Sequence, residues 1–300
     1  MNVLSLFDGM SCGQIALNRA NIKYDKYYAS EIDKDAIKIA LKNYPNIIQL
    51  GDVTKVSSNS LDKIDLLIGG SPCQGFSTAG KNLNFEDPRS KLFFEYVRLL
   101  EEIKPKYFLL ENVRMNPNHI DIISDYLGVK PIFINSAMFS PQDRKRLYWT
   151  NIPDIDIENV KYKEIYLKDI LEKSVDDKFY LSDKVSERYY FNSNYVENKN
   201  KSCVFGKLGT RYQGDRIFSL ECKGSSLSAF GGNNGGGGCN LVIDPHTSKI
   251  RRLTAIECER LQTVPDNYTS LEDVNYSNRY KMLGNGWTVD VISYIFSFIK

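Results

Sequence analysis

Five short apolar runs, at 3–7, 27–30, 47–50, 64–68 and 107–110, each stop at a glycine or an acidic residue. Helical periodicity follows several of them, at 14–20, 34–44 and 92–103. Buried strands alternating with amphipathic helices predict a doubly wound α/β sheet, largely parallel. Such sheets carry their chemistry just beyond the carboxyl ends of the strands. The residues that end each run are therefore the first candidates for function.

The fourth run ends in Gly69-Gly70-Ser71-Pro72-Cys73-Gln74. Pro72 fixes the backbone directly before a thiol, which makes Cys73 a candidate nucleophile as well as a candidate buried thiol. The first run enters Asp8-Gly9-Met10-Ser11-Cys12-Gly13 and then a helix, the opening unit of a nucleotide-binding fold. Glu31 and Asp52 close the next two strands. The first could hold ribose hydroxyls or serve the helix that follows; the second could accept an adenine amino group or cap a turn. Together the three strand ends suggest an adenosine-containing cofactor. No Walker A sequence is present, so phosphoryl transfer has no support.

Net charge is only +2, so a nucleic-acid partner would have to meet a local basic patch. No apolar run is long enough to span a bilayer, and the N-terminus does not resemble a signal peptide. The six cysteines contain no CxxC pair, and no metal site is expected. Reduced thiols in a cytoplasm-like compartment are expected.

Further along, Glu111-Asn112-Val113 ends the strand after the cysteine strand, and Gln142-Asp143-Arg144-Lys145-Arg146 precedes an apolar stretch. Two arginines two apart on one strand would share a face, or form a solvated basic rim. With these pieces in order, the chain resembles the DNA (cytosine-5) methyltransferases, in particular the short bacterial and phage enzymes. The resemblance rests on Phe7-Asp8-Gly9 with Gly13, Glu31, Asp52, Pro72-Cys73-Gln74, Glu111-Asn112-Val113 and Gln142-x-Arg144-x-Arg146. Toward the C-terminus it adds Arg252-Leu253-Thr254, Glu257-x-x-Arg260-Leu261-Gln262 and Gly284-Asn285-Gly286. It covers roughly 1–151 and 250–300. The chain departs from the family in its first motif, where Ser11-Cys12 replace the usual glycine pair, and at Ser5, where an acid is usual.

The resemblance implies a Rossmann-like methyltransferase sheet over 1–155 and 270–300, and a smaller, mostly irregular or β target-recognition domain over 156–269. It implies S-adenosylmethionine as methyl donor, S-adenosylhomocysteine as product, and cytosine in double-stranded DNA as substrate. Cys73 would add to C6, Glu111 would stabilise charge at N3 from a dry site, and Arg146 would sit near O2, with Arg144 organising the site. Phe7, Asp8, Gly9, Ser11, Gly13, Glu31, Ile32, Asp52, Val53, Pro72 and Asn285 would form the cofactor pocket. The target base would have to be flipped out of the duplex. Gln74, Ser77, Thr78, Ala79 and Lys81, in a loop that reads as a lid, would meet the DNA.

Between 154 and 250 the pattern turns to short elements, with helical signals at 165–171 and 182–190. Lys199, Lys201, Lys207, Arg211 and Arg216 lie around Tyr212 and Gln213. Basic residues position phosphates, while Arg211, Gln213 and Arg216 could read bases, with Gly232 in a glycine run approaching the backbone. Thr254 and Glu257 form a capping-box sequence. A monomer is expected, in a bacterial cell or phage-infected host, with a cognate restriction endonuclease as a candidate partner. Two alternatives stay open: a tRNA methyltransferase of the same fold, and a catalytically inactive DNA-binding homologue.

Overall fold

The computed structural model describes residues 1–72, 88–192, 195–208, 215–229, 231–232, 236–237 and 240–300. Cys73, Gln74, Ser77, Thr78, Ala79, Lys81, Arg211 and Gln213 lie outside the described residues. The chain divides into two compact units, one of 1–134, 145–158 and 291–300, the other of 135–144 and 159–290.

In the first unit the strands are β1 (Asn2–Leu6), β2 (Lys26–Ser30), β3 (Ile48–Gln49), β4 (Leu66–Gly69), β5 (Tyr107–Val113) and β6 (Ile132–Asn135). After the two-residue β7 (Gln142–Asp143), which belongs to the second unit, comes β8 (Lys145–Thr150). The sheet order is β3-β2-β1-β4-β5-β8-β6. Strands β1 to β5 pair in parallel, and β8 runs antiparallel to β5. The direction of winding reverses between β1 and β4, which leaves a crevice at their carboxyl ends for a ligand.

Helices α1 (Cys12–Arg19), α2 (Lys34–Asn43), α3 (Pro88–Ile103) and α4 (Pro117–Leu127) lie in the connections. Asp33 caps α2 by accepting from the N–H groups of Asp35 and Ala36, an interaction of about 1 kcal/mol. Asn116 caps α4, Pro117 occupies its first turn, and Gly128 ends it at φ +69°. Leu4, Leu6, Leu67, Phe93, Tyr96, Leu99, Leu110, Ile123 and Trp149 form the centre of the core. The indole N–H of Trp149 donates to Ser124 Oγ at 3.0 Å, so this buried ring leaves no donor unpaired.

The second unit holds a five-stranded sheet, β16-β15-β11-β10-β9. Its strands are β9 (Tyr190–Phe191), β10 (Val204–Lys207), β11 (Arg216–Phe218), β15 (Leu241–Ile243) and β16 (Ile250–Arg252). Two small pairs accompany it: β12 (Gly224–Ser225) with β7, and β13 (Gly231–Gly232) with β14 (Gly236–Gly237). Gly232 thus lies in a paired strand. The helical signals at 165–171 and 182–190 shrink to a 3-10 turn over Leu167–Ile170 and one turn of helix, α5 (Asp183–Ser186). The first cannot lengthen because the N–H groups of Leu167 and Lys168 donate to the carbonyls of Cys222 and Leu220.

Three helices follow: α6 (Ala255–Leu261), α7 (Tyr276–Asn285) and α8 (Val289–Phe296). Thr254 and Glu257 close the expected capping box on α6. Glu257 does more, taking both terminal nitrogens of the fully buried Arg251 at 2.8 and 2.9 Å, while Asp244 takes its Nε at 2.7 Å. Removing one partner of such a buried set costs about 3–5 kcal/mol.

Gly284 lets α7 approach the chain at 228–229 so closely that a Cβ would stand 2.4 Å from the Ser228 carbonyl carbon and 2.5 Å from Ala229 N. Both obstacles are backbone, so no rotamer change relieves them. Gly284→Ala is expected to destabilise the protein by about 1–3 kcal/mol, read as a lower midpoint in urea with the fold otherwise retained.

Candidate active site

The turn after β1 is built from alternating left-handed residues: Phe7 at φ +57°, Gly9 at +59° and Ser11 at +67°. It is fastened to the end of β2. Gly9 N–H donates to Glu31 Oε2 at 2.8 Å, and the N–H groups of Ile32 and Asp33 donate to Glu31 Oε1 at 2.8 and 2.9 Å. A carboxylate offers about four acceptor positions, so one remains for a hydroxyl. Ile32 is 73% exposed beside it. Phe7 packs on the edge of the core.

At the end of β3, Asp52 Oδ1 accepts from Thr54 N–H at 3.0 Å and Thr54 Oγ1 at 2.9 Å. The Thr54 N–H holds its pKa below the usual carboxylate value. Asp52 is thus a turn cap as well as an acid at a strand end, while the Val53 side chain lies in the core. A Cβ on Gly9 or Gly51 would meet nothing within 4 Å, so there is open space over both turns. Two carboxylates at consecutive strand ends suit a ribose diol and an exocyclic amine, and they repel phosphate. The Gly9 N–H that a phosphate would use is already bonded to Glu31. These acceptors fit an unphosphorylated adenosine group such as that of S-adenosylmethionine.

Gly13 serves packing. A Cβ there would lie 2.6 Å from both Ile68 Cδ1 and Tyr27 Oη, so glycine lets α1 settle on the sheet. Asp8 turns to the same region, accepting from Tyr27 Oη and Ser11 Oγ, each at 2.7 Å. Burial pushes its pKa up to about 6.

At the ends of β4 and β5, Ser71 and Asn112 are buried and joined. Asn112 Nδ2 donates to Ser71 Oγ at 3.3 Å and to Ser71 O at 3.4 Å, while its Oδ1 accepts from Val113 N–H. This ties the loop that leads through Pro72 toward Cys73 to the neighbouring strand. Asn112 stood inside a recognised motif, yet its spacing in sequence assigned it no task. The clue was a primary amide directly after an acid at the end of an apolar run.

Glu111 faces Tyr148 across the β5–β8 ladder, and Arg146 faces Val113. Two positions apart across a ladder, Glu111 and Arg146 share one face of the sheet. Arg146 Nε donates to Glu111 Oε1 at 2.9 Å, with the side chains 14% and 10% exposed. Antiparallel pairing therefore aims a fixed cation and a carboxylate together at the end of the parallel strands.

Arg144 does not lie on a strand with Arg146. It sits in the break between β7 and β8, where its N–H donates to Asn135 Oδ1 and its carbonyl accepts from Ser136 N–H. Its buried guanidinium, in the second unit, donates to Ser226 Oγ and to the carbonyls of Leu227, Gly284 and Gly286 at 3.0–3.2 Å. Gln142 and Gln262 complete this cluster: Gln142 Nε2 donates to Gln262 Oε1, and Thr288 Oγ1 donates to the same oxygen. Asn285 is exposed at the end of α7, also in the second unit, and Arg216 begins β11. Among the described residues no group of three or more His, Cys, Asp or Glu could hold a metal ion, and no helix is long and apolar enough to cross a membrane.

Asn112→Ala is expected to leave the melting temperature within a few degrees and to lower kcat about tenfold or more, with little change in KM for cofactor. Single-turnover kinetics on a methyl-acceptor substrate would separate these.

Residues 1–300 match the family described as C-5 cytosine-specific DNA methylase. Among curated relatives, the type II methyltransferase M1.ScrFI of Lactococcus lactis subsp. cremoris is 31% identical over 97% of this chain and 75% of its own length. The type II methyltransferase M.HhaI of Haemophilus parahaemolyticus is 27% identical over 98% of this chain and 93% of its own. The solved structure of the Entamoeba histolytica methyltransferase EhMeth superposes with a TM-score of 0.75 at 18% identity, covering 100% of this chain and 99% of that one.

Proposed function

Since the chain belongs to the C-5 cytosine-specific DNA methylase family, we propose that it methylates C5 of a flipped cytosine in a short sequence of double-stranded DNA. The observation that carries this reading is the Glu111–Arg146 pair, aimed from one face of the sheet beside the Ser71–Pro72 segment that leads to Cys73. C5 of cytosine is a weak nucleophile. The Cys73 thiolate adds to C6, and electron density moves onto C5, N3 and O2. Glu111 bonds the N3 side of the ring, and Arg146 stabilises the charge gathering at O2. When bound, S-adenosylmethionine supplies the electrophilic methyl group. After transfer a water takes the C5 proton, the released electron pair forms the C5–C6 double bond, and the C6–S bond breaks, restoring the Cys73 thiolate.

Phe7, Glu31 and Ile32, with Asp52, bind the adenosine part of the cofactor. Residues 1–155 and 270–300 act as the catalytic domain and 156–269 as the recognition domain, where Arg211, Gln213, Arg216 and Gly232 approach DNA. The loop with Gln74, Ser77, Thr78, Ala79 and Lys81 meets the flipped nucleotide. The enzyme works as a monomer in the cytoplasm of a bacterium or infected host.

Conversion sequencing of unmethylated plasmid, after incubation with protein and S-adenosylmethionine, is the direct test. Cytosines protected in one short motif are expected, and Cys73→Ala should abolish protection. Uniform conversion by folded, cofactor-bound protein would sink the DNA reading and favour an RNA acceptor or an inactive homologue. In the active protein, Glu111→Gln and Arg146→Met are each expected to slow single turnover by roughly 10²-fold or more while the cofactor still binds.

A further inference from the structure

Only one of the three left-handed residues in the turn after β1 is glycine. A left-handed residue with a side chain costs about 1 kcal/mol or more, so something must hold Ser11 there. Ser11 is fully buried. Its hydroxyl donates to Asp8 Oδ2 at 2.7 Å and accepts from Gln14 Nε2 at 3.0 Å, and its N–H donates to the Asp8 carbonyl at 3.1 Å. Tyr27 Oη holds Asp8 Oδ1 at 2.7 Å, and Tyr24 Oη donates to Gln14 Oε1 at 2.7 Å.

We propose that Asp8 is a positioning residue: its carboxylate locks Ser11 in the left-handed conformation and so gives the cofactor turn the shape that glycine would otherwise allow, without touching the cofactor. This rests on the adenosine-cofactor reading above and deepens it. Both carboxylate oxygens are committed to hydroxyl donors inside the fold, one on the turn and one on β2. The groups facing Asp8 are Ser5 on β1, Ser11 at the start of α1 and Tyr27 on β2, with the Glu31 carboxylate as charged neighbour.

An ionised carboxylate accepts from both hydroxyls at once, and a protonated one gives up an acceptor position. The lock is therefore complete when Asp8 is ionised and loosens as it gains a proton. Burial sets that change near pH 6. Cofactor affinity should fall as pH drops through this range. Fold stability should move the other way. A carboxyl whose folded pKa is raised contributes stability that is present below its unfolded value and is lost as pH rises through about 6. Opposite slopes for affinity and stability are something that a purely structural carboxyl would not produce.

The test is calorimetric titration with S-adenosylhomocysteine between pH 5 and 8, on the unaltered chain, Asp8→Ala, Ser11→Gly, and Asp8→Ala with Ser11→Gly. The unaltered protein should lose up to about tenfold in affinity per pH unit below 6. Asp8→Ala should bind about tenfold more weakly at pH 7.5, and adding Ser11→Gly should restore most of that loss, because glycine needs no lock. Ser11→Gly alone should lose the pH slope, which keeps the inference testable should Asp8→Ala fold poorly. A double variant no better than Asp8→Ala, or a slope that survives in Ser11→Gly, would overturn this inference alone. Absence of binding by the unaltered, folded chain would overturn the cofactor reading together with it.

Discussion

The parallel pairing of β1 with β4 is the constraint on which the first unit depends. Val3 to Leu6 align with Leu66 to Gly69, and from this seam the chain winds one way to β3 and the other way to β5. Strand ends on both sides of the seam are thereby brought level. The turn at Phe7–Ser11, the Glu31 carboxylate and the Ser71–Asn112 contact all stand on those ends. Gly13 and Gly69 keep the seam tight: a Cβ on Gly69 would lie 3.1 Å from both Leu6 O and the Tyr96 ring. Helix α1 and the Tyr96 ring can therefore approach the sheet only where side chains have been removed.

The second unit adds buried polar groups to its apolar contacts. One apolar cluster centres on Tyr189, Leu208, Ile217, Leu241 and Ile250, and Phe218, Val242, Leu253, Cys258, Leu261 and Leu283 are buried as well. Buried charge and amide groups work beside them. Arg251 makes four hydrogen bonds, to Asp244, both Glu257 oxygens and the Arg252 carbonyl, and Glu259 accepts from Asn267 N–H, the N–H and hydroxyl of Thr269, and Arg279. Lys223, fully buried, donates to the carbonyls of Lys163 and Ile165, and burial lowers its pKa to about 8. Such groups demand partners in fixed directions, so they specify one arrangement of short strands and turns that hydrophobicity alone would leave loose.

Much of the first unit was legible in the sequence because its signals are local. Apolar runs of four or five residues ending in glycine or acid marked the strands, and helical spacing at 34–44 and 92–103 marked two of the helices between them. The capping box at Thr254 was equally local. Long-range partners were not legible. Arg144 read as the twin of Arg146, but the bonds of its main chain to Asn135 and Ser136 take it out of the strand. The segment at 165–171 has helical spacing, yet its N–H groups find carbonyls some fifty residues away, at Leu220 and Cys222. Nothing in the neighbourhood of Asp8 showed that Tyr27, nineteen residues later, would donate to one of its oxygens.

Arg144 has a consequence for how the protein is made. Its carbonyl partners at Gly284 and Gly286 lie 140 and 142 residues further along the chain. During synthesis at about 5–20 residues per second, this arginine waits about 7–30 seconds for the groups that will satisfy it. A buried guanidinium without acceptors is costly, so the second unit gains little by closing early around it. Its assembly is thereby deferred until the segment bearing Gly284 emerges, a built-in order of events written by one side chain.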